Sequence, residues 1–339
     1  MNINQMKSAI SKFRKANLSV IKDEKLRAKA QKLQGKEKGF TLLELLVVIT
    51  LIAILATGAL IAYEDVGANA EAASAGNAAA TVDRAIRTYR AVENVYPNQW
   101  DNLVDADGSA LNFAAPAMGN LLASWNSPVS GTDAEFTNVI NAFINAGLEE
   151  IQVPLADADL DDALIPGSAP NRMHNESSGW AEEAELEEDL ELPTALAVVP
   201  SSTCSTAPGI PTYPTDTFNG DTVTDNNLQN SFGDALEGDE CHVLVALGFG
   251  GDAAASTTFS NVAIAQSPSY VRNTGNDDTE VNPETHYSRY IGLFQVGEYA
   301  DTDDDDTLDT WEWNDSIRLI AIVSTDGKNI DELVSEAQN

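Results

Sequence analysis

The sequence predicts an α+β protein: one long N-terminal helix, half membrane-spanning and half amphipathic, carrying an antiparallel β-sheet head. Three observations lead there. Residues 40–63 are apolar throughout except for Glu44. Positions from Val66 to Val92 continue at helical spacing. After residue 240 the chain holds short runs rich in β-branched and aromatic side chains, separated by polar turns.

The apolar segment is 24 residues long. At about 1.5 Å per residue, a helix of that length crosses a hydrocarbon core of roughly 30 Å. Charge gives it a direction. Residues 1–39 hold 11 Lys/Arg against 3 Asp/Glu, whereas residues 40–339 hold 8 against 50. Basic flanks stay cytoplasmic, which places the acidic body across the membrane. The basic head reads as a targeting segment outside the fold. A chain of 339 residues leaves room for one or two globular units in the rest. Most of the carboxylates read as a solvated surface, and a body so acidic argues against a nucleic-acid partner.

Glu44 is the charge that needs an explanation. A carboxylate in hydrocarbon costs a few kcal/mol and calls for a partner. Two readings are open on charge alone. Glu44 snorkels near the end of a plain anchor, or the chain is cut after Gly39 and Glu44 meets the new α-amino group of Phe40 on a neighbouring subunit.

The stretch Lys38-Gly39-Phe40-Thr41-Leu42-Leu43-Glu44, followed by the apolar run, resembles the class III signal of type IV pilins and type II secretion pseudopilins. The resemblance implies cleavage between Gly39 and Phe40 by a membrane prepilin peptidase, methylation of the Phe40 amine, and a role for Glu44 in docking the subunit into a filament. It implies as partners other copies of the chain, other pilins, the peptidase, an inner-membrane assembly platform and membrane lipid. The precursor would sit in the inner membrane and the product in a periplasmic or cell-surface filament. Two features depart from the family: the leader of 39 residues is long, and Ile61 and Ala62 stand where a proline is frequent. Gly58 is expected to be the point where the helix loosens on assembly, because glycine is a poor helix former.

Beyond the membrane, Val66, Ala70, Ala73, Asn77, Ala80, Ile86, Tyr89 and Val92 recur with gaps mostly of three or four, and Asn94 and Pro97 end the helix. The chain thus divides into a leader (1–39), a membrane half (40–63), an amphipathic half (64–96), a variable insertion of helices and loops (97–240) and a sheet head (241–339). Within the insertion, Thr132 to Ile151 predicts a helix. Thr132 and Glu135 form a capping box, and Phe136, Val139, Ile140, Phe143, Ile144 and Leu148 line one face. Residues 181–191 are an acidic run read as a solvated helix or linker. Residues 200–230 read as a long loop. The expected strands of the head are His242–Phe249, Asn261–Gln266, Tyr290–Gly297 and Ser316–Ser324.

Two further sites are suggested. Cys204 and Cys241 are the only cysteines, and a bridge between them is expected if the body is exported. Residues 301–312 place Asp301, Asp303, Asp305, Thr307 (through its carbonyl), Asp309 and Glu312 where a twelve-residue loop supplies calcium ligands. Asp306 stands where that pattern wants glycine. The neighbouring Asp309-Thr310-Trp311, the later Ile322-Val323-Ser324-Thr325-Asp326-Gly327-Lys328, and Tyr96-Pro97 loosely resemble the major pseudopilin of type II secretion. In that family calcium holds the C-terminal loop.

Enzyme signatures do not emerge. His174, His242 and His286 form no zinc-type pair at short spacing, and no phosphate loop or nucleophile elbow is present. Gly248-Phe249-Gly250-Gly251 reads as a turn after a strand. The expectation is a non-enzymatic filament subunit. The alternatives are a low-copy minor pilin that binds a ligand at the tip through Trp100, Trp125 or Trp180, and a membrane-tethered exported calcium-binding protein or enzyme.

Overall fold

The computed structural model describes residues 3–34, 42–104, 122–126, 134–154, 181–186, 193, 195–199, 217–218, 221–222, 232, 235–236, 241–273, 280–281, 287–300 and 310–338. The chain is α+β, and it divides into two compact units, Met1–Glu64 and Asp65–Asn339.

The first unit is helical. Helices α1 (Ile3–Lys15) and α2 (Glu24–Gln34) are joined by a 3-10 turn at Leu18–Val20. Asn17 caps that turn by accepting from the Ser19 amide. Helix α3 (Leu42–Glu93) begins in this unit and continues into the second. Its part Leu42–Leu60 has a mean hydropathy of 2.5 and no buried residue, so it is long and apolar enough to cross a membrane.

In the second unit, α3 ends at Glu93, one residue before the expected stop. Asn94 takes a positive φ of 62°, and its amide still donates to the Arg90 carbonyl, which closes the last turn. The buried face of this half is Ala75, Ala79, Val82, Ile86 and Tyr89, at spacings of four and three. That corrects the predicted face. Ile86 and Tyr89 are buried as expected, but Ala70, Ala73, Asn77 and Val92 are exposed and Ala80 is half-buried. The exposed positions lie about half a turn away from the true contact face. Alanine occurs on every side of this stretch, so periodicity alone does not say which side meets the sheet.

The sheet runs in the order β10-β9-β8-β1-β3-β4. Strands β8 (Cys241–Gly248), β9 (Ile291–Ala300) and β10 (Thr310–Val323) form an antiparallel meander. The other edge of β8 is shared. Its middle pairs with β5 (Ala195–Val199), which itself pairs with β2 (Ala123–Asn126). The end of β8 pairs with β1 (Trp100–Asn102). Strand β1 runs parallel to β3 (Glu150–Pro154), and β4 (Ala181–Glu185) lies antiparallel to β3. A separate hairpin joins β6 (Thr217–Phe218) and β7 (Asp221–Thr222).

Two apolar clusters lie on this framework. One gathers Ala79, Val82 and Ile86 of α3 with Val139, Ile140 and Phe143 of α4 (Ala134–Asn145) and with Val245, Leu247 and Phe294 of the sheet. The other gathers Leu103, Val104, Phe232 and Leu236 with Leu244, Ala246, Leu293 and Ile320. Successive residues of a strand point to opposite faces, so β8 supplies both clusters and is apolar on both sides. The same reason makes all five residues of β5 buried.

Several expectations need correction. Asn261–Gln266 is not a strand. It lies in turns after the short helix α5 (Gly251–Ala255), where the Val262 and Ile264 amides donate to the Ser260 and Thr257 hydroxyls. Side chains there take the donors that a strand partner would have taken. The acidic stretch Ala181–Glu185 is neither helix nor linker but the last strand of the sheet, where charged residues discourage further pairing. The predicted helix Thr132–Ile151 is described from Ala134 and ends at Asn145, because Gly147 takes φ 91° and the chain then enters β3. Thr132 lies outside the described residues. The segment expected to hold helices and loops therefore contributes β1, β2, β3, β4 and β5 to the sheet that contains β8 to β10.

Candidate functional site

The assembly-type site predicted at the start of the apolar run is partly described. Gly39 and Phe40 lie outside the described residues. Glu44 sits in the first turn of α3, exposed. An acidic residue in that turn is favoured by the partial positive charge of the helix N-terminus. The helix is uninterrupted through Gly58, where an added Cβ would meet no atom within 4 Å.

Of the expected calcium ligands, Asp301, Asp303, Asp305, Thr307 and Asp309 lie outside the described residues. Glu312 is described, and it belongs to β10. The first three residues of β10 are therefore Thr310, Trp311 and Glu312, so the last positions of the expected loop are already strand. Glu312 stands directly opposite Glu298 of β9, whose carboxylate lies 3.3 Å from Nδ1 of the buried His242. Among the described residues no group of three or more His, Cys, Asp or Glu is arranged to hold a metal. Cys241 opens β8 opposite Tyr299, and Cys204 lies outside the described residues.

Among the described residues, the tryptophans considered for a tip ligand do not form an exposed platform. Trp100 and Trp125 are buried, and Trp180 lies outside the described residues. Trp100 packs edge-on against Phe249 and Phe294 at centroid distances of 5.1 and 5.0 Å. Trp125 stacks on Trp313, which stacks in turn on Trp311.

Two polar clusters emerge whose contacts the sequence did not announce. The first is a buried pair at the end of β8. The Tyr287 hydroxyl donates to Asp101 Oδ2 over 2.6 Å, and both residues are almost fully buried. Burial, and then the Asp101 carboxylate, push the Tyr287 phenol well above its ordinary value, so it remains a donor. The glycines explain the site. A Cβ on Gly248 would stand 1.7 Å from the Tyr287 oxygen, and one on Gly250 would stand 2.4 Å from Asp101 Oδ1. Gly248 ends β8 and Gly251 starts α5, so the stretch turns the chain from strand to helix, and Gly248 and Gly250 are bare because two polar side chains lie against them.

The second cluster surrounds Asp326, in the turn between β10 and the last helix, α6 (Ile330–Glu336). Asp326 accepts from the Tyr270 hydroxyl at 3.0 Å, from Arg272 Nη1 at 2.7 Å and from the Ser324 hydroxyl. Lys328 lies 3.6 Å from Asp326 and also binds Glu336. Asn329 and Glu332 form a capping box that starts α6. Leu333 is buried against α3, where Gly76 leaves room for Val334. The Ser324–Lys328 stretch noted in the sequence is therefore a clasp that ties the C-terminal helix to residues 270–272 and to α3. Its chemistry is structural: Asp326, Arg272, Lys328 and Glu336 are each paired with an opposite charge.

Comparison with known proteins gives two matches. Residues 34–60 match the family described as the prokaryotic N-terminal methylation motif. The chain is also 35% identical over 105 residues to the fimbrial protein EcpC of Eikenella corrodens. That match takes in 31% of this chain and 63% of the relative, so the chain spans somewhat under two thirds of the relative's length. No solved structure matches. The chain carries the type IV pilin signal, an N-terminal methylation motif laid over the start of a helix of membrane-spanning length, and it is similar to a fimbrial protein.

Proposed function

We propose that the protein is a structural, non-enzymatic subunit of a type IV pilus-like filament. It is made as a membrane-anchored precursor, cut between Gly39 and Phe40 by a prepilin peptidase, methylated at Phe40 and assembled through α3 on an inner-membrane platform. The observation that carries this reading is the coincidence of the methylation motif, residues 34–60, with the apolar stretch Leu42–Leu60. A simple secretory signal would not need a carboxylate there. A subunit that packs its helix among identical helices does, because Glu44 can neutralise the new amino group of a neighbour where water is excluded. The exposed small side chains Ala70, Ala73 and Asn77 continue a face on which helices can approach closely.

The test is assembly of Glu44→Val. The variant should be made, inserted and cut like the parent, yet be missing from the filament fraction sheared from cells. Normal amounts of Glu44→Val in that fraction would refute the role given to Glu44.

The fimbrial relative favours a surface pilus over a secretion pseudopilus. Calcium remains part of the proposal. The facing Glu298 and Glu312 bring like charges together where β9 and β10 meet the acidic loop, and a divalent cation held by Asp301, Asp303, Asp305, Thr307, Asp309 and Glu312 would offset that repulsion. Calcium should then raise the melting temperature of the parent but not of Asp303→Asn/Asp305→Asn. Equal response of the two chains would remove calcium from the account. A Cys204–Cys241 bridge belongs to the same exported state. Unchanged mobility of the secreted form on reduction would argue against it.

A further inference from the structure

Residues 3–34, within the expected leader, form two helices, and the first of them carries an exposed apolar stripe. In α1, Met6, Ile10 and Phe13 recur at spacings of four and three, and Ala9 lies between them on the same side. These positions form an apolar arc of about 100° on the helical wheel. The large side chains on it are exposed: Met6 48%, Ile10 55% and Phe13 41%. The helical hairpin does not use them as its own core. It buries Leu18 at the turn instead. The Gln34 amide donates to the carbonyls of Phe13 and Ala16, 2.8 Å each, which pins the end of α2 to the end of α1.

Lys12, Arg14 and Lys15 occupy the last turn of α1, off the apolar arc. Complementing the helix dipole explains their place in the last turn but not the exposed stripe beside them. Residues 1–34 carry nine Lys/Arg against two Asp/Glu. An exposed apolar stripe on a basic helix is the pattern of a helix that lies in the plane of an anionic lipid surface. Chain length puts such a surface within reach. Only eight residue steps, at most about 29 Å, separate Gln34 from Leu42, where the membrane-length segment begins. That short tether keeps α1 at a high effective concentration beside the bilayer.

We propose that α1 docks on the anionic face of the membrane from which α3 enters. Met6, Ile10 and Phe13 would lie at the acyl boundary, and Lys12, Arg14 and Lys15 on the lipid headgroups. The inference rests on the reading that Leu42–Leu60 crosses the bilayer.

The test uses the full-length precursor in nanodiscs of phosphatidylcholine alone, or with about a third phosphatidylglycerol, followed by hydrogen exchange and mass spectrometry. Exchange of residues 3–15 should be about tenfold slower in the anionic discs, and the protection should fade in high salt. Ile10→Gln/Phe13→Gln, which keeps helix propensity, should lose the protection, and Ser8→Gln on the polar side should keep it. Equal exchange of residues 3–15 in both lipids, with Leu42–Leu60 protected in both, overturns lipid docking and leaves the membrane reading standing. Protection that appears only when cytosolic protein is added also overturns it, in favour of a protein partner. Exposure of Leu42–Leu60 in both discs overturns the membrane reading itself.

Discussion

Tyr287→Phe removes one oxygen and tests how the sheet is held together where it forks. The hydroxyl donates to Asp101 over 2.6 Å, and the two residues are 1% and 2% exposed, so water cannot take the vacated place. Asp101 lies in β1 opposite Gly248, the last residue of β8. A hydrogen bond to a charged group contributes about 1.5–3 kcal/mol, and a buried carboxylate that loses a donor falls in that range. For a unit of this size a loss of about 2 kcal/mol lowers Tm by roughly 4–8 °C. The assay is a thermal melt of the full chain in detergent, followed by tryptophan fluorescence, with Trp100 as a core reporter. Asp101→Asn weakens the same contact from the other side. The double variant should therefore cost less than the two single changes added together. A Tyr287→Phe melt within about 1 °C of the parent would refute the reasoning.

Three further outcomes are expected. Gly147→Ala should destabilise the chain by at least about 2 kcal/mol in chemical denaturation, because φ is 91° and the new Cβ would stand 2.4 Å from Val95 Cβ; an unchanged midpoint would contradict this. Burial, reinforced by Asp326, raises the Tyr270 and Tyr290 phenols above their ordinary value of 10.0, as burial and Asp101 raise Tyr287. The folded state holds these protons more tightly than the unfolded state. Their contribution is complete below pH 10 and is lost as pH rises through the folded values, so denaturation midpoints measured from about pH 8 to 12 should fall beyond 10, less steeply in Tyr290→Phe. Gly58→Ala meets no atom within 4 Å and stiffens the helix by about 1 kcal/mol, so precursor level and cutting should be unchanged while filament yield drops; unchanged yield would show that α3 need not loosen there.

What the sequence showed follows what local physics controls. Asn94 marked the end of α3, and the structure stops the helix one residue earlier with Asn94 at positive φ. Strand β8 was legible as a short apolar run bounded by Cys241 and the glycines. Glu44 was legible because a carboxylate in an apolar run is costly in hydrocarbon and calls for a partner. The buried side of α3 was not legible, since alanine recurs on all its faces and only the docked sheet selects Ala75, Ala79 and Val82. Strand β5 was missed although Ala195–Val199 is a five-residue apolar run between Pro193 and Pro200, a signal that could have found it. The Asp101–Tyr287 pair joins residues 186 positions apart, and no local pattern announces such a contact. The basic composition of residues 1–34 is legible in the sequence, but that Met6, Ile10 and Phe13 stay exposed depends on how α1 and α2 pack.

The most direct test of the filament-subunit account is the intact mass and N-terminal sequence of the protein recovered from membranes and from material sheared off the cell surface. The account predicts a chain that begins at N-methylated Phe40 and is present in the sheared fraction. A chain that keeps residues 1–39, or begins at any other residue, would contradict it.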